Sequence, residues 1–129
     1  MEVINTTSRE FWKRKKVLIT GHNGFKGSWL SIFLMELGAE IYGVSLKNDD
    51  PNAFFNKLGI KKNLSEKNID IRNNELLENT VNDFSPDIVF HLAAQPLVRE
   101  SYLRPVNTWS TNVMGTISIL EAIRKLKTK

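Results

Sequence analysis

Apolar residues along this chain keep two alternating rhythms. KVLIT (16–20) and DIVFHLA (87–93) are short, mostly aliphatic runs, as expected of strands buried on both faces. AEIYGVSL (39–46) and NIDI (68–71) predict two more strands. Between the first two runs the spacing changes to three and four. Phe25, Trp29, Ile32, Phe33 and Leu37, widened by Leu30 and Leu34, predict a helix over 25–37 with an apolar face, stopped by Gly38. The polar stretch 48–63 carries Pro51 and Gly59 and predicts a loop with a short helix near 53–58. Residues 74–84 predict a helix ended before Pro86. Pro105 opens a last, long helix to about residue 125, in spite of Gly115.

Strands that alternate with helices call for right-handed parallel crossovers. The expected fold is α/β, the N-terminal half of a Rossmann doubly wound parallel sheet with strand order 3-2-1-4, its fifth strand falling beyond residue 129. One domain is expected over 16–129, behind a leader at 1–15.

Composition narrows the partners. The formal charge is +4, but residues 9–16 and the last six residues hold nine of the 18 basic side chains. Residues 17–123 are mildly acidic, with twelve acids against nine bases. KRKK (13–16) matches a phosphate-backbone or nuclear-address pattern, yet no base-stacking motif or zinc-finger spacing accompanies it, and a solvated leader explains it as well. No nucleic-acid partner is expected. No apolar stretch is long enough to span a bilayer, so no membrane partner is expected either. With no cysteine and only two histidines, no metal site is expected, and a reducing cytoplasm suits the chain.

The candidate chemistry lies between the first strand and the first long helix. Gly21, Gly24 and Gly27 fall as G-x-x-G-x-x-G. In that context Gly21 permits a tight turn, Gly24 lets a ligand approach the backbone, and Gly27 lets the helix pack on the sheet. The helix N-terminus then offers N–H groups and partial positive charge to a diphosphate. Lys26 sits where the helix dipole disfavours a cation, so it either points to water or meets an anion. His22 is a phosphate or ribose contact, or a plain turn residue. His91, inside a strand, reads as a satisfied core histidine. The second strand ends in Ser45, Leu46 and Lys47, without the acid that usually receives a ribose 2′-hydroxyl, which leaves NAD against NADP open. Asp70, Ile71 and Arg72 flank an adenine or form a surface turn. Leu92, Ala93, Ala94 and Gln95 put small side chains at the switch point, for a ligand or for close packing.

TGHNGFKGSWL (20–30), DIR (70–72), HLAAQPLVRESY (91–102) and TNVMGTISILEAIR (111–124) occur in one order, behind Phe11, Trp12 and Lys15. This series resembles the extended short-chain dehydrogenase/reductase family of nucleotide-sugar epimerases and dehydratases, over residues 11–126. The resemblance implies NAD as cofactor and CDP-D-glucose as substrate, dehydrated to CDP-4-dehydro-6-deoxy-D-glucose for bacterial surface-polysaccharide deoxysugars. It implies a cytoplasmic protein, homodimeric when full length. Gly21, Gly24, Phe25, Lys26 and Gly27 would line the diphosphate, Asp70 and Ile71 the adenine, and Leu92 to Gln95 the ribose and nicotinamide. Asn112 would brace the active-site strand from the last helix, and Arg99 and Ser101 would face the substrate. The family's catalytic tyrosine and lysine, four residues apart, are missing: Tyr42 is followed by Leu46 and Tyr102 by Val106. No catalytic residue is therefore expected within these 129 residues. A sibling nucleotide-sugar enzyme and a catalytically silent dinucleotide-binding module remain as alternatives.

Overall fold

The computed structural model describes residues 6–126; the first five residues of the expected leader and the last three of the expected domain lie outside them. A four-stranded parallel sheet has the order β3-β2-β1-β4. Its strands are β1 (Lys16–Thr20), β2 (Glu40–Ser45), β3 (Ser65–Asn68) and β4 (Ile88–His91). Helices α1 (Thr6–Trp12), α2 (Phe25–Glu36), α3 (Phe54–Leu58), α4 (Asn74–Phe84), α5 (Val98–Leu103), α6 (Pro105–Trp109) and α7 (Gly115–Arg124), with a 3-10 turn at Ile60–Asn63, are the helical elements among the described residues, apart from one π-helical turn. A π-helical turn, Ser110–Met114, joins α6 to α7 into one continuous helical rod. The expected strand order, the parallel crossovers and the rod from Pro105 are all observed.

Alternation along β1 divides the core in two. Val17 and Ile19 pack with Leu34 and Ile41 on the α2 side. Leu18 packs with Val44, Leu77, Val81 and Ile119 on the side of α4 and α7. The fifteen apolar residues of the two layers and their margins are at most 7% exposed. Within the sheet, β4 pairs only with β1, and its residues are partly rather than fully buried.

Four departures from expectation have physical reasons. The third strand is SEKN (65–68), not NIDI (68–71). It is an edge strand held by backbone pairing to β2, whereas Ile69 and Ile71 are buried where the chain leaves the sheet. The inner face of α2 is Gly27, Ser28, Ser31 and Leu34, while Phe25, Trp29 and Phe33 of the expected apolar face are exposed. Small side chains let the helix lie close to the sheet. The buried hydroxyls of Ser28 and Ser31 cost little because each donates to the carbonyl four residues back, Gly24 and Gly27, at 2.7 Å. Phe25 and Trp29 instead pack on Phe54 of α3, with ring centroids 5.3 and 5.4 Å apart. Two helices, α1 and α5, lack a long enough apolar period to be foreseen. Trp12 at the end of α1 packs on the α2-side core, 6.4 Å from Phe90 between centroids.

Candidate functional site: a glycine-lined cleft at the carboxyl edge of the sheet

The strands β1, β2 and β4 all end at one edge, where the glycine turn, the segment after β3 and the loop after β4 enclose an open cleft of about 520 Å³. Each glycine has its own reason. Gly21 takes φ +74°, and a Cβ there would meet the backbone of Ala93 at 2.8 Å. A Cβ on Gly27 would lie 2.7 Å from the Cα of His22, so the close seam between α2 and the turn needs glycine. Gly24 is different. Its φ of −75° suits any residue, and a Cβ would meet only the Gly21 carbonyl, at 3.3 Å. Folding therefore does not demand glycine at 24; free space on the cleft side does. Gly24 is also the N-cap of α2, and no side chain caps that end. The first N–H groups of the helix are left to face the cleft, with the positive end of its dipole.

Around this cradle the polar groups are arranged in two ways. Thr20, fully buried at the tip of β1, holds the opposite wall. Its Oγ1 accepts from the backbone N–H groups of Leu92 and Ala93 at 3.1 and 3.2 Å and donates to His91 Nδ1 at 2.6 Å. His91 Nε2 in turn donates to Thr116 Oγ1 at 3.1 Å, whose hydroxyl donates to the Asn112 carbonyl. This chain of donors fixes the neutral Nε2–H tautomer, and burial pushes the imidazole below its ordinary value of 6.5. His91 is hydrogen-bonded through both ring nitrogens, as expected of a satisfied histidine, but it is partly buried and lies outside the core. Ser45, at the tip of β2, is the opposite case. It lines the cleft, is 4% exposed, and its Oγ has no partner among the described residues. A buried hydroxyl without a partner costs free energy until a ligand supplies one.

Most of the expected residues meet here. Gly21, Gly24, Phe25, Lys26, Gly27, Ser45, Asp70, Ile71, Leu92, Ala93 and Ala94 all line the cleft. Lys26 is exposed at its rim and takes part in no ion pair among the described residues. Lys47 pairs with Asp49 at 2.9 Å, outside the lining. Asp70 grips Arg72, and this guanidinium holds its carboxyl below the usual aspartate value of 3.8.

Five expected contacts are placed elsewhere. His22 is corrected: its ring is fully buried beneath Gly43, edge-on to Phe55, and not in the cleft. Its Nε2 meets Glu66 Oε2 at 2.8 Å, and Glu66 pairs with Lys61 at 2.7 Å. The two partners, with the bond from Lys61 ahead of that from His22, hold the Glu66 carboxylate below its ordinary value against the opposing cost of burial. Gln95 and Asn112 are also outside the lining. Asn112 accepts from the Gln95 N–H at 2.7 Å and donates to its carbonyl at 3.1 Å, so it ties the loop after β4, rather than a strand, to the helical rod. The Gln95 amide is spent on Leu97 and Thr108. Arg99 is exposed on α5, and the Ser101 hydroxyl donates to the Val98 carbonyl at 2.6 Å; neither lines the cleft. The lining also includes Leu46, Pro96 and Thr111, which sequence reasoning did not single out, and it owes its shape to Thr20. A polar β-branched residue closing a buried strand just before a glycine turn was the available sign for Thr20.

The chain is similar in fold and sequence to known proteins. A UDP-glucose 4-epimerase of Thermus thermophilus, solved in complex with NAD, superposes with a TM-score of 0.73 at 31% identity, covering 85% of this chain and 34% of that one. An epimerase from Methanothermobacter thermautotrophicus gives a TM-score of 0.82 at 26% identity, over 98% of this chain and 36% of the other. A CDP-glucose 4,6-dehydratase of Salmonella typhimurium is 48% identical over 119 residues, 92% of this chain and 33% of its own length. A GDP-mannose 4,6-dehydratase of Vibrio cholerae is 31% identical, over 88% of this chain and 32% of its own. The chain thus spans about a third of the length of the curated relatives it matches. The family model described as GDP-mannose 4,6 dehydratase matches residues 18–129. With the fold, the glycine cradle and this match in agreement, the chain belongs to the GDP-mannose 4,6-dehydratase family of nucleotide-sugar enzymes.

Proposed function

We propose that this chain is the NAD-binding part of a nucleotide-sugar 4,6-dehydratase acting on CDP-D-glucose. The observation that carries the reading is the unfilled cradle: a space at Gly24 that packing does not use, next to the orphaned hydroxyl of Ser45. Those features fit a dinucleotide. The uncapped end of α2 would receive its diphosphate between Phe25 and Gly27, Lys26 would add a positive charge at the rim, and Ser45 would gain a partner from a ribose. Ile71 would offer an apolar wall to the base, and Ala93 and Ala94 leave room for the nicotinamide half. When bound, NAD supplies a hydride acceptor at the sugar's 4-position and returns that hydride at the 6-position. The residues of this chain hold and orient the cofactor; Tyr42 and Tyr102 lack a lysine four positions on, so 129 residues alone are expected to bind without turning over.

The choice of CDP-glucose rests on the 48% identity to the Salmonella dehydratase, against 31% to the Vibrio GDP-mannose enzyme. The reading extends to a cytoplasmic location, to no nucleic-acid or membrane partner, and to a homodimer of the whole enzyme. In support of the dimer, Val106, Trp109, Ile117 and Leu120 form an exposed apolar row along the helical rod. No helix among the described residues is long and apolar enough to cross a membrane. Calorimetric titration of the purified chain with NAD, NADP and CDP-glucose tests the proposal. Binding of NAD, preferred over NADP, is expected, with no conversion of CDP-glucose; absence of dinucleotide binding would refute it.

A further inference from the structure

At the base end of the cleft, one side chain ties the segment after β3 to the helical rod. Arg72 follows Asp70 by two residues in the segment after β3, and its backbone N–H and Nε donate to Asp70 Oδ1, both at 2.9 Å. Nε also reaches Asp70 Oδ2 at 3.1 Å, and Nη2 donates to the same oxygen. The fork does not stop there. Nη1 crosses to α6 and donates to Asn107 Oδ1 at 2.8 Å, 35 residues away. Just inside this polar bridge, Ile71 fills the notch left by Gly115, where a Cβ would lie 2.7 Å from the isoleucine Cγ1. The segment 70–72 is thus pegged to the helical rod by Ile71 and latched to it by Arg72. A carboxylate gripped at both oxygens by a planar guanidinium, itself held from α6, cannot rotate freely. Lysine, a point charge on a flexible stem, cannot reproduce that fork.

We propose that Arg72 is a positioning residue of the cofactor site: by gripping Asp70 and latching to Asn107 on α6, it aims the Asp70 carboxylate at the exocyclic amine of the cofactor's base. This rests on the dinucleotide reading above. The carboxylate stays ionised because the guanidinium stabilises its charge, so it meets the base as an acceptor. Arg72 acts through Asp70, and its removal penalises only a base that carries the amine.

That selectivity is the test. The dissociation constants of NAD and of nicotinamide hypoxanthine dinucleotide, which lacks the amine, are compared on the unaltered chain and on Arg72→Ala, Arg72→Lys and Asn107→Ala, each checked for folding by thermal melting. Loss of an aimed, charge-assisted hydrogen bond predicts that Arg72→Ala weakens NAD about tenfold and the hypoxanthine analogue less than about twofold. Arg72→Lys is expected to restore only part of the preference, and Asn107→Ala to erode it about two- to threefold through loss of the latch. Equal weakening of both dinucleotides by Arg72→Ala, or a preference that grows, overturns the inference; the Lys and Asn107 variants decide it if the alanine variant does not fold. Failure of the unaltered chain to bind either dinucleotide sinks the dinucleotide reading and this inference with it.

Discussion

Replacing Gly24 by alanine separates a cradle built for a ligand from a turn built for folding. The added Cβ would touch only the Gly21 carbonyl, at 3.3 Å, a contact relieved by a shift of a few tenths of an ångström. Since φ is −75° and the residue caps α2 with its backbone alone, the stability cost is about 1 kcal/mol or less. The methyl group would, however, occupy the space in which a diphosphate oxygen must come within about 2.9 Å of the helix N–H groups. Forfeiting one hydrogen bond to a charged group, about 1.5–3 kcal/mol, predicts a dissociation constant for NAD weakened about 10- to 150-fold. Gly27→Ala is the converse control. Its Cβ would meet backbone at His22 and Gly21, which cannot step aside. Overpacking of about 3 kcal/mol, less about 1 kcal/mol gained in helix propensity, leaves a net loss near 2 kcal/mol, seen as a melting temperature lowered by about 7 °C. Calorimetric titration and thermal melting of both variants give the two readouts. A folded Gly24→Ala chain that binds NAD within twofold of the unaltered one would refute the reasoning.

Other positions give independent checks. Thr20→Val keeps the shape of the buried side chain but strands the Ala93 N–H, and is expected to cost about 2 kcal/mol in denaturant unfolding. Gly43→Ala would drive a Cβ to within 2.5 Å of the His22 ring, for a loss of about 3 kcal/mol; combined with His22→Ala the loss should fall clearly short of the sum, as a double-mutant cycle would show. The sign for His91 follows from its lowered value: the unfolded chain takes up the proton first, so this contribution to stability is complete above 6.5 and is lost as pH falls through the folded value. The melting temperature should therefore drop from pH 8 to pH 5 more steeply in the unaltered chain than in His91→Asn.

What the sequence made legible was whatever depends on near neighbours. KVLIT followed by G-x-x-G-x-x-G encodes a buried strand and a tight turn within fifteen residues, and the strand order follows from right-handed crossovers. Periodicity misjudged α2 because it ranks large apolar groups, whereas close helix–sheet packing selected Gly27, Ser28 and Ser31. It misplaced β3 because an edge strand can be polar, with backbone pairing to Tyr42 through Ser45 as its only requirement. His22 looked like a ligand contact because its glycine neighbours are; the partner that draws it inward, Glu66, is 44 residues away. Arg72 was visible as part of a flanking segment, but its latch to Asn107 is a product of the tertiary fold.

The π-helical turn at Ser110–Met114 has a consequence for how the chain tolerates change in length. A π turn carries one residue more than the α-helical path needs, and each residue advances a helix by about 100°. Trimming that spare residue would let the rod close into an unbroken α-helix, with Gly115, Ser118, Ile119 and Ala122 still facing the core and the Gly115 notch still on Ile71. A deletion inside α7 has no such slack and would turn every residue beyond it by about 100°. The spare length is a reserve, confined to the turn that carries Thr111 to the cleft.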